Sequence, residues 1–365
     1  MMGKLKMNLY ITRKYDGSNN AGGKAPSDIN TICKELGWQE YRMVFPNKDD
    51  SKIDKLCGLL LSCPKQWLKM GRKKGQYILY QHPMYFGTKM AVFCIPFIQK
   101  LHHSKVIVLL HDLESLRSKE SVTTKYTDIK LINVSDYVIC HNYRMKEYLI
   151  SKGVAPKKIV ELEIFDYLCE KKPQQAKNAS KKNSIAIAGN LSPEKCSYIY
   201  KFIENNPELK INLYGVGYKG RSEYSNAEYH GSFSPEELPS KLDSAYGLVW
   251  DGPEITSCSG DFGEYLRFNN PHKLSLYMAA GIPVVTWKQA AIADFVEKHQ
   301  VGIVVDSLVD LSKTLDQISE EQYAAMKTNA EAIGEKLREG FYFRRALQEI
   351  FDMDASKNET RSMAE

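Results

Sequence analysis

Phe268-Asn-Asn270-Pro271-His272-Lys273-Leu-Ser275-Leu-Tyr-Met-Ala-Ala-Gly281-Ile-Pro283-Val-Val285 reads as a loop, a short helix and the start of a buried strand. Asn270 suits an N-cap and Pro271 the first helical position. Gly281 suits the left-handed residue that ends a helix, and Pro283 leads into the strand. His272 and Lys273 then fall in the first turn, where the helix dipole is positive. A lysine there is unfavourable unless an anion joins it. A diphosphate would resolve the conflict, through charge-assisted hydrogen bonds of about 1.5–3 kcal/mol each. The plainer reading is a solvated lysine on an ordinary helix.

Outward from this segment, short apolar runs alternate with helical patterns. In the second half, strands are expected at 184–188, 209–214, 247–250, 283–286 and 303–305. Helices are expected at 193–204, 271–280, 290–298 and 319–337, with an amphipathic helix near 341–352. In the first half, strands are expected at 7–11, 41–45, 77–81, 105–110 and 136–140, with helices such as 26–36 and 50–61 between them. Near-continuous apolar runs such as Lys105-Val-Ile-Val-Leu-Leu110 suit parallel strands covered on both faces. The β-α-β-α order is that of doubly wound domains. The polar stretch 171–183 reads as a linker between a domain over 1–170 and one over 184–340. Asn178-Ala-Ser180 within it matches a glycosylation sequon, which carries little without a secretory leader.

The length of 365 residues also suits two domains. Apolar residues at 43% and charged residues at 26% exclude a disordered, collagen-like or disulfide-scaffold chain. Fifty basic against 44 acidic residues leave +6, too mild a surplus for a dedicated nucleic-acid binder. The eight cysteines contain no Cys-x-x-Cys pair, so no zinc site is expected; they read as small buried hydrophobes in a reducing compartment. The first residues lack the apolar core of a signal peptide, and no run of about 18 apolar residues occurs. A cytoplasmic protein is expected, with peripheral contact at the inner face of the membrane admitted by the basic run Lys65 to Lys74 beside Trp67.

Ligands of doubly wound domains sit outside the carboxyl ends of the strands. After the first strand comes a loop with Asp16, Gly22, Gly23 and Lys24, read as facing the cleft: glycines let backbone N–H groups approach an anion, and a helix is expected from Pro26. After 105–110 come His111 and Asp112, a pair suited to acid/base work or, more plainly, a carboxylate capping the next helix. In the second half Gly189 and Asn190 precede Ser192-Pro193, a clean helix start, and Gly189 would let a phosphate come close. Tyr214 and Gly215 fit a binding lip. Asp251 and Gly252 close the 247–250 strand, where a simple turn also accounts for them.

The opening segment resembles the donor-binding helix of GT-B glycosyltransferases. Trp250-Asp-Gly, Cys258-Ser-Gly-Asp-Phe-Gly-Glu-Tyr-Leu-Arg-Phe-Asn-Asn-Pro-His-Lys273 and Lys288-Gln-Ala-Ala-Ile-Ala-Asp-Phe-Val296 resemble one bacterial subfamily more narrowly, as do Tyr80-Gln-His-Pro and His111-Asp-Leu-Glu-Ser-Leu-Arg117. That subfamily includes β-1,6-galactofuranosyltransferases of polysaccharide synthesis and the glucosyltransferases of streptococcal adhesins. The similarity spans roughly residues 7–350. It implies a GT-B α/β fold, two Rossmann-like doubly wound domains facing a cleft, with the last helix, about 341–365, packing back on the N-terminal domain. It implies a UDP-sugar substrate, no cofactor and no metal. Lys273 would contact the diphosphate, with Asn270, His272 and Ser275 lining the same pocket. The Glu-x7-Glu pair of related enzymes falls at about Phe268 and Leu276 here, so the carboxylates are missing and an inverting transfer is favoured.

The resulting expectation is an inverting hexosyltransferase moving galactofuranose, glucose or galactose from a UDP-sugar to a glycan or lipid-linked saccharide. The C-terminal domain would bind UDP and the N-terminal domain the acceptor. Asp112 is the first candidate for base, Asp16 the second and His111 the third. No nucleic-acid partner is expected, and a homo-oligomer is open. Two other classes use the same fold: a sugar epimerase or phosphorylase, and a non-catalytic partner of another glycosyltransferase.

Overall fold

The computed structural model describes residues 8–12, 21–44, 51–70, 76–84, 87–117, 122–169, 183–220 and 224–362. The chain divides into two compact units: Met1–Gly17, Pro26–Leu162 and Phe343–Glu365 in the first, Ser18–Ala25 and Glu163–Tyr342 in the second. The linker expected at 171–183 falls almost wholly outside the described residues. The second unit already takes in Glu163, ahead of that polar stretch.

The first unit holds β1 (Leu9–Thr12), β2 (Gln39–Arg42), β3 (Tyr77–His82), β4 (Lys105–Leu110), β5 (Tyr137–Cys140) and β6 (Ile159–Glu161). They form one parallel sheet in the order β2-β1-β3-β4-β5-β6. β4 reads Lys-Val-Ile-Val-Leu-Leu, with every residue after the first buried, as a strand covered on both faces requires. Its core joins Val106, Val108 and Leu110 to Ile78, Tyr80, Trp67, Ile95 and Ile98.

The second unit holds β7 (Ser184–Asn190), β8 (Lys210–Val216), β9 (Ala227–Tyr229), β10 (Tyr246–Val249), β11 (Val284–Trp287) and β12 (Gly302–Val305). Its parallel sheet runs β12-β11-β10-β7-β8-β9. Counted within the unit, that is the Rossmann order read from its far edge, with the reversal between β7 and β10. The α/β class and the two doubly wound units are those expected.

The last helix, Phe341–Ser362, runs past the amphipathic stretch at 341–352 and lies within the span of about 341–365 that the resemblance implies. From Phe343 onward it clusters with the first unit. Asp354 fixes it there. Its carboxylate accepts from the hydroxyls of Tyr77 and Tyr137 and from Lys105 Nζ at 2.5 Å. These three donors lie at the starts of β3, β5 and β4. Burial pushes the Asp354 carboxyl up, but the bonds from Lys105, Tyr137 and Tyr77 outweigh it and hold the group below its ordinary value.

Two expectations change. Gly22, Gly23 and Lys24 are helical, within Ala21–Glu35, not part of a loop. Glycine favours a later start, near Pro26, but tertiary contacts override propensity. The Lys24 side chain is 4% exposed, donates to Leu168 O, and lies 5.0 Å from the Tyr167 ring centroid. The helix expected at 193–204 is two pieces, Pro193–Cys196 and Tyr198–Asn205, divided at Ser197.

Candidate functional site

The reversal of strand order in the second unit brings the ends of β7 and β10 side by side. Gly189 and Asn190 end β7, and Asp251 follows β10. The helix His272–Ala279 brings Lys273 to the same place. Lys273 Nζ lies 2.9 Å from Asp251 Oδ1 and donates to Trp250 O at 3.2 Å. Lys195 Nζ stands 3.9 Å from Asp251 Oδ2. Two ammonium groups therefore share one carboxylate, which leaves the cluster net positive.

Both members of the central pair are charged. Burial alone would lower the Lys273 pKa, but Asp251 reverses this and holds the ammonium above its ordinary value. Burial would raise Asp251, but Lys273 and then Lys195 hold its carboxyl below its ordinary value. Cys196 completes the cluster. Burial pushes its thiol up to about 11, and Sγ donates to Asn190 O at 3.2 Å and Asp251 Oδ1 at 3.5 Å.

Glycine is required where these loops meet. A Cβ on Gly215, whose φ is +143°, would fall 1.8 Å from Gly189 O. A Cβ on Gly189 would sit 3.5 Å from Lys273 Cε, with φ at +119°. Both positions need glycine for their positive φ, and Gly189 brings its backbone against the Lys273 side chain. Gly252, with φ at +113°, donates from its N–H to Lys195 O at 3.1 Å and so ties the Lys195 turn to β10.

The helix start differs from expectation by one residue. Pro271, not Asn270, is the N-cap, and it supplies no side-chain acceptor to the first turn. The leading N–H groups of such a turn have no intrahelical partner. Asn270 instead donates to Glu163 O at 3.0 Å, and Ser275 Oγ to Phe165 O at 2.7 Å. Both bonds hold the 163–167 segment. His272 packs against Tyr167 and Phe165, with centroids 5.2 and 6.0 Å away. Burial, then the charge of Lys24, pushes its imidazole down to about 3, so it is neutral at pH 7. Its Nε2 is buried with no hydrogen-bond partner among the described residues. Tyr214 forms no lip: it is buried, stacks on His230 at 4.7 Å, and its hydroxyl accepts from Asp243 N–H at 3.2 Å.

In the first unit the carboxyl ends of three neighbouring strands carry histidines: His82 ends β3, His111 follows β4 and His141 follows β5. His111 N–H donates to His82 O at 2.7 Å, and its Nε2 lies 2.7 Å from Gln81 Oε1. His82 Nε2 faces Asp128 Oδ1 at 3.2 Å, both side chains 3% exposed. Asp112 is partly exposed and accepts from Arg117 Nη1 at 3.0 Å, while Glu114 shares that guanidinium at 3.3 Å. Burial raises the Glu114 pKa despite Arg117. Asp16 lies outside the described residues.

Sequence reading missed Lys195, Cys196, Glu114 and the 163–167 segment. The position of Lys195, three residues into a turn that follows a strand with Gly189, was its available signal. Among the described residues no group of three or more His, Cys, Asp or Glu is placed to hold a metal ion. Among them too, no helix is long and apolar enough to cross a membrane.

Residues 8–164 match the family description "Glucosyltransferase 3-like, N-terminal domain", and residues 185–350 match "Glucosyltransferase 3-like, C-terminal domain". The β-1,6-galactofuranosyltransferase WbbI of Escherichia coli is 34% identical over 285 residues, 77% of this chain and 81% of that protein. Glucosyltransferase 3 of Streptococcus gordonii is 26% identical over 349 residues, 93% of this chain and 97% of that protein. Among solved structures, Anabaena HepE in complex with UDP superposes with a TM-score of 0.62 at 15% identity, covering 96% of this chain and 100% of that one. The apo lipopolysaccharide outer core galactosyltransferase WaaB gives 0.59 at 13% identity, covering 95% and 99%. The fold is the GT-B fold of these glycosyltransferases.

Proposed function

The chain belongs to the glucosyltransferase 3-like family, and from that membership we propose that it transfers a hexose from a UDP-sugar to a hydroxyl of a glycan acceptor. The second unit holds the donor and the first presents the acceptor and the base. The observation that carries this reading is the Lys273–Asp251–Lys195 cluster at the strand-order reversal, beside Gly189 and a helix start with no side-chain cap. Charge that develops on a departing diphosphate is best met by fixed cations and N–H groups. Lys273 and Lys195 supply the cations, and the first turn at His272 and Lys273 supplies the N–H groups. The reading therefore needs no metal ion and no cofactor.

In the transfer, a base takes the proton of the acceptor hydroxyl. The oxygen bonds to the anomeric carbon as the bond to the diphosphate breaks, and UDP leaves with that electron pair. Asp112 is the base we favour, because it is accessible and stands at a carboxyl end of the first sheet; His111 and Asp16 are the next candidates. Inversion is our reading, since the family resemblance puts Phe268 and Leu276, which are not carboxylates, at about the places of the Glu-x7-Glu pair of related enzymes. Galactofuranose, glucose and galactose are the candidate sugars, the first two matching the names of the relatives. The test is a panel of UDP-glucose, UDP-galactose and UDP-galactofuranose with saccharide acceptors, the product anomer read by NMR. UDP release and one inverted linkage are expected. Unchanged transfer by Lys273→Ala would overturn the donor site.

A further inference from the structure

The first unit exposes apolar side chains on two helices that pack against each other, Cys63–Met70 and Thr88–His102. On the longer one Phe93, Phe97 and Leu101 recur every four residues and are 61%, 51% and 55% exposed. The rings of Phe93 and Phe97 lie 5.2 Å apart. On the shorter helix and the turn before it, Leu60, Leu61 and Leu68 are 56%, 59% and 44% exposed. The opposite faces are fully used, since Trp67, Cys94, Ile95 and Ile98 belong to the core. Apolar side chains gathered in this way mark an interaction surface.

Charge identifies the occupant. Lys65, Lys69, Lys89 and Lys100 are exposed on the same two stretches, and neither 58–70 nor 88–102 contains an Asp or Glu. Beside them lies a groove of about 770 Å³, lined by Arg42, Lys65 and Lys69 together with Val44 and Leu61. Arg42 keeps Glu40 as an ion-pair partner at 3.4 Å; the two lysines line the groove, and among the described residues no carboxylate lines it with them. We propose that this face docks the protein on an anionic lipid bilayer. Phenylalanine and leucine tips enter the boundary between headgroups and acyl chains, and the lysines meet the lipid phosphates. A second copy of the chain suits the face poorly, because a two-fold contact would set lysine against lysine.

Flotation of the full chain with phosphatidylglycerol vesicles and with phosphatidylcholine vesicles tests this. Binding to the first and not the second is expected, weakening as salt rises. Removing one lysine charge should weaken it about five-fold. Phe93→Ser with Phe97→Ser should abolish flotation, and Lys65→Glu with Lys69→Glu should do so without touching an apolar side chain. Transfer to a soluble acceptor should be unchanged in both, so failure here is distinguishable from failure of the transfer reading. A protein that stays off phosphatidylglycerol vesicles at low salt overturns the proposal. So does flotation that both double variants retain, or a dimer in light scattering that Phe93→Ser with Phe97→Ser dissolves while the wild type does not float.

Discussion

Lys273 Nζ lies 2.9 Å from Asp251 Oδ1, with the two side chains 11% and 9% exposed, where the strand order of the second sheet reverses. The pair links the helix that carries the family resemblance to the strand end that faces it. It also makes the role of Lys273 in stability separable from its role in binding.

Removing one partner of a buried ion pair leaves the other unpaired, at a cost of about 3 kcal/mol. Lys273→Ala should therefore lose donor binding and also melt at lower temperature, as only Lys195 then neutralises Asp251. Adding Asp251→Asn should restore most of the stability without restoring the binding. Chemical denaturation of the two variants checks the first part, and UDP titration the second.

The same pair sets a pH window. Asp251 is held below its ordinary value of 3.8, so its contribution is present above that value and is lost as pH falls through the depressed one. Lys273 is held above its ordinary 10.5, so its contribution is present below that value and is lost as pH rises through the raised one. His272 and His141 add a slope on the acid side. Burial pushes them from 6.5 down to about 3 and about 4, so the unfolded chain takes up their protons first and stability declines as pH falls below 6.5. Melting temperature should be lower at pH 5 than at pH 7.5, with part of that difference removed in His141→Gln.

Asp354 should anchor the last helix to the first unit. Asp354→Ala leaves Tyr77, Tyr137 and Lys105 without their shared acceptor and should cost about 3 kcal/mol, whereas Tyr137→Phe should cost about 1 kcal/mol. Hydrogen exchange in 343–362 should rise in the first variant. Protection equal to wild type would show that the helix is held by packing alone.

Gly215→Ala should be among the most damaging small substitutions, because the new methyl would meet Gly189 O at 1.8 Å. Adjacent parallel strands meet there, so neither backbone can yield alone. A loss above about 4 kcal/mol is expected. Gly153→Ala, at φ +84° with nothing within 4 Å, should cost far less.

Much of this fold was legible because apolar runs carry it. The strand expected at 105–110 occupies those residues, and those expected at 136–140 and 303–305 shift by one residue at an end. The edge strand Ala227–Tyr229 escaped notice, since three partly exposed residues leave no pattern. Ile159–Glu161 is equally short. At the site, Lys273 and Gly189 could be read from helix and strand grammar. The uses of Asn270, Ser275 and Tyr214 could not, because each is satisfied by a partner at least 29 residues away in sequence. Lys24 is the sharpest case: a cation in a glycine-rich stretch suggested an anion site, and Leu168 O takes its ammonium instead.

Asp112→Asn should leave UDP binding intact and lower kcat about 10²- to 10⁴-fold, the usual worth of a positioned base. Equal kcat in the variant would move the role to His111 or Asp16, and matching His111→Gln and Asp16→Asn measurements would tell them apart.

The most direct measurement is calorimetric titration of UDP into the wild type and into Lys273→Ala with Asp251→Asn, both shown folded by melting. Saturable binding by the wild type and at least about a 100-fold weaker affinity in the double variant are expected, the worth of one or two charge-assisted contacts to phosphate. Equal affinity in the two proteins would contradict a donor site built on Lys273.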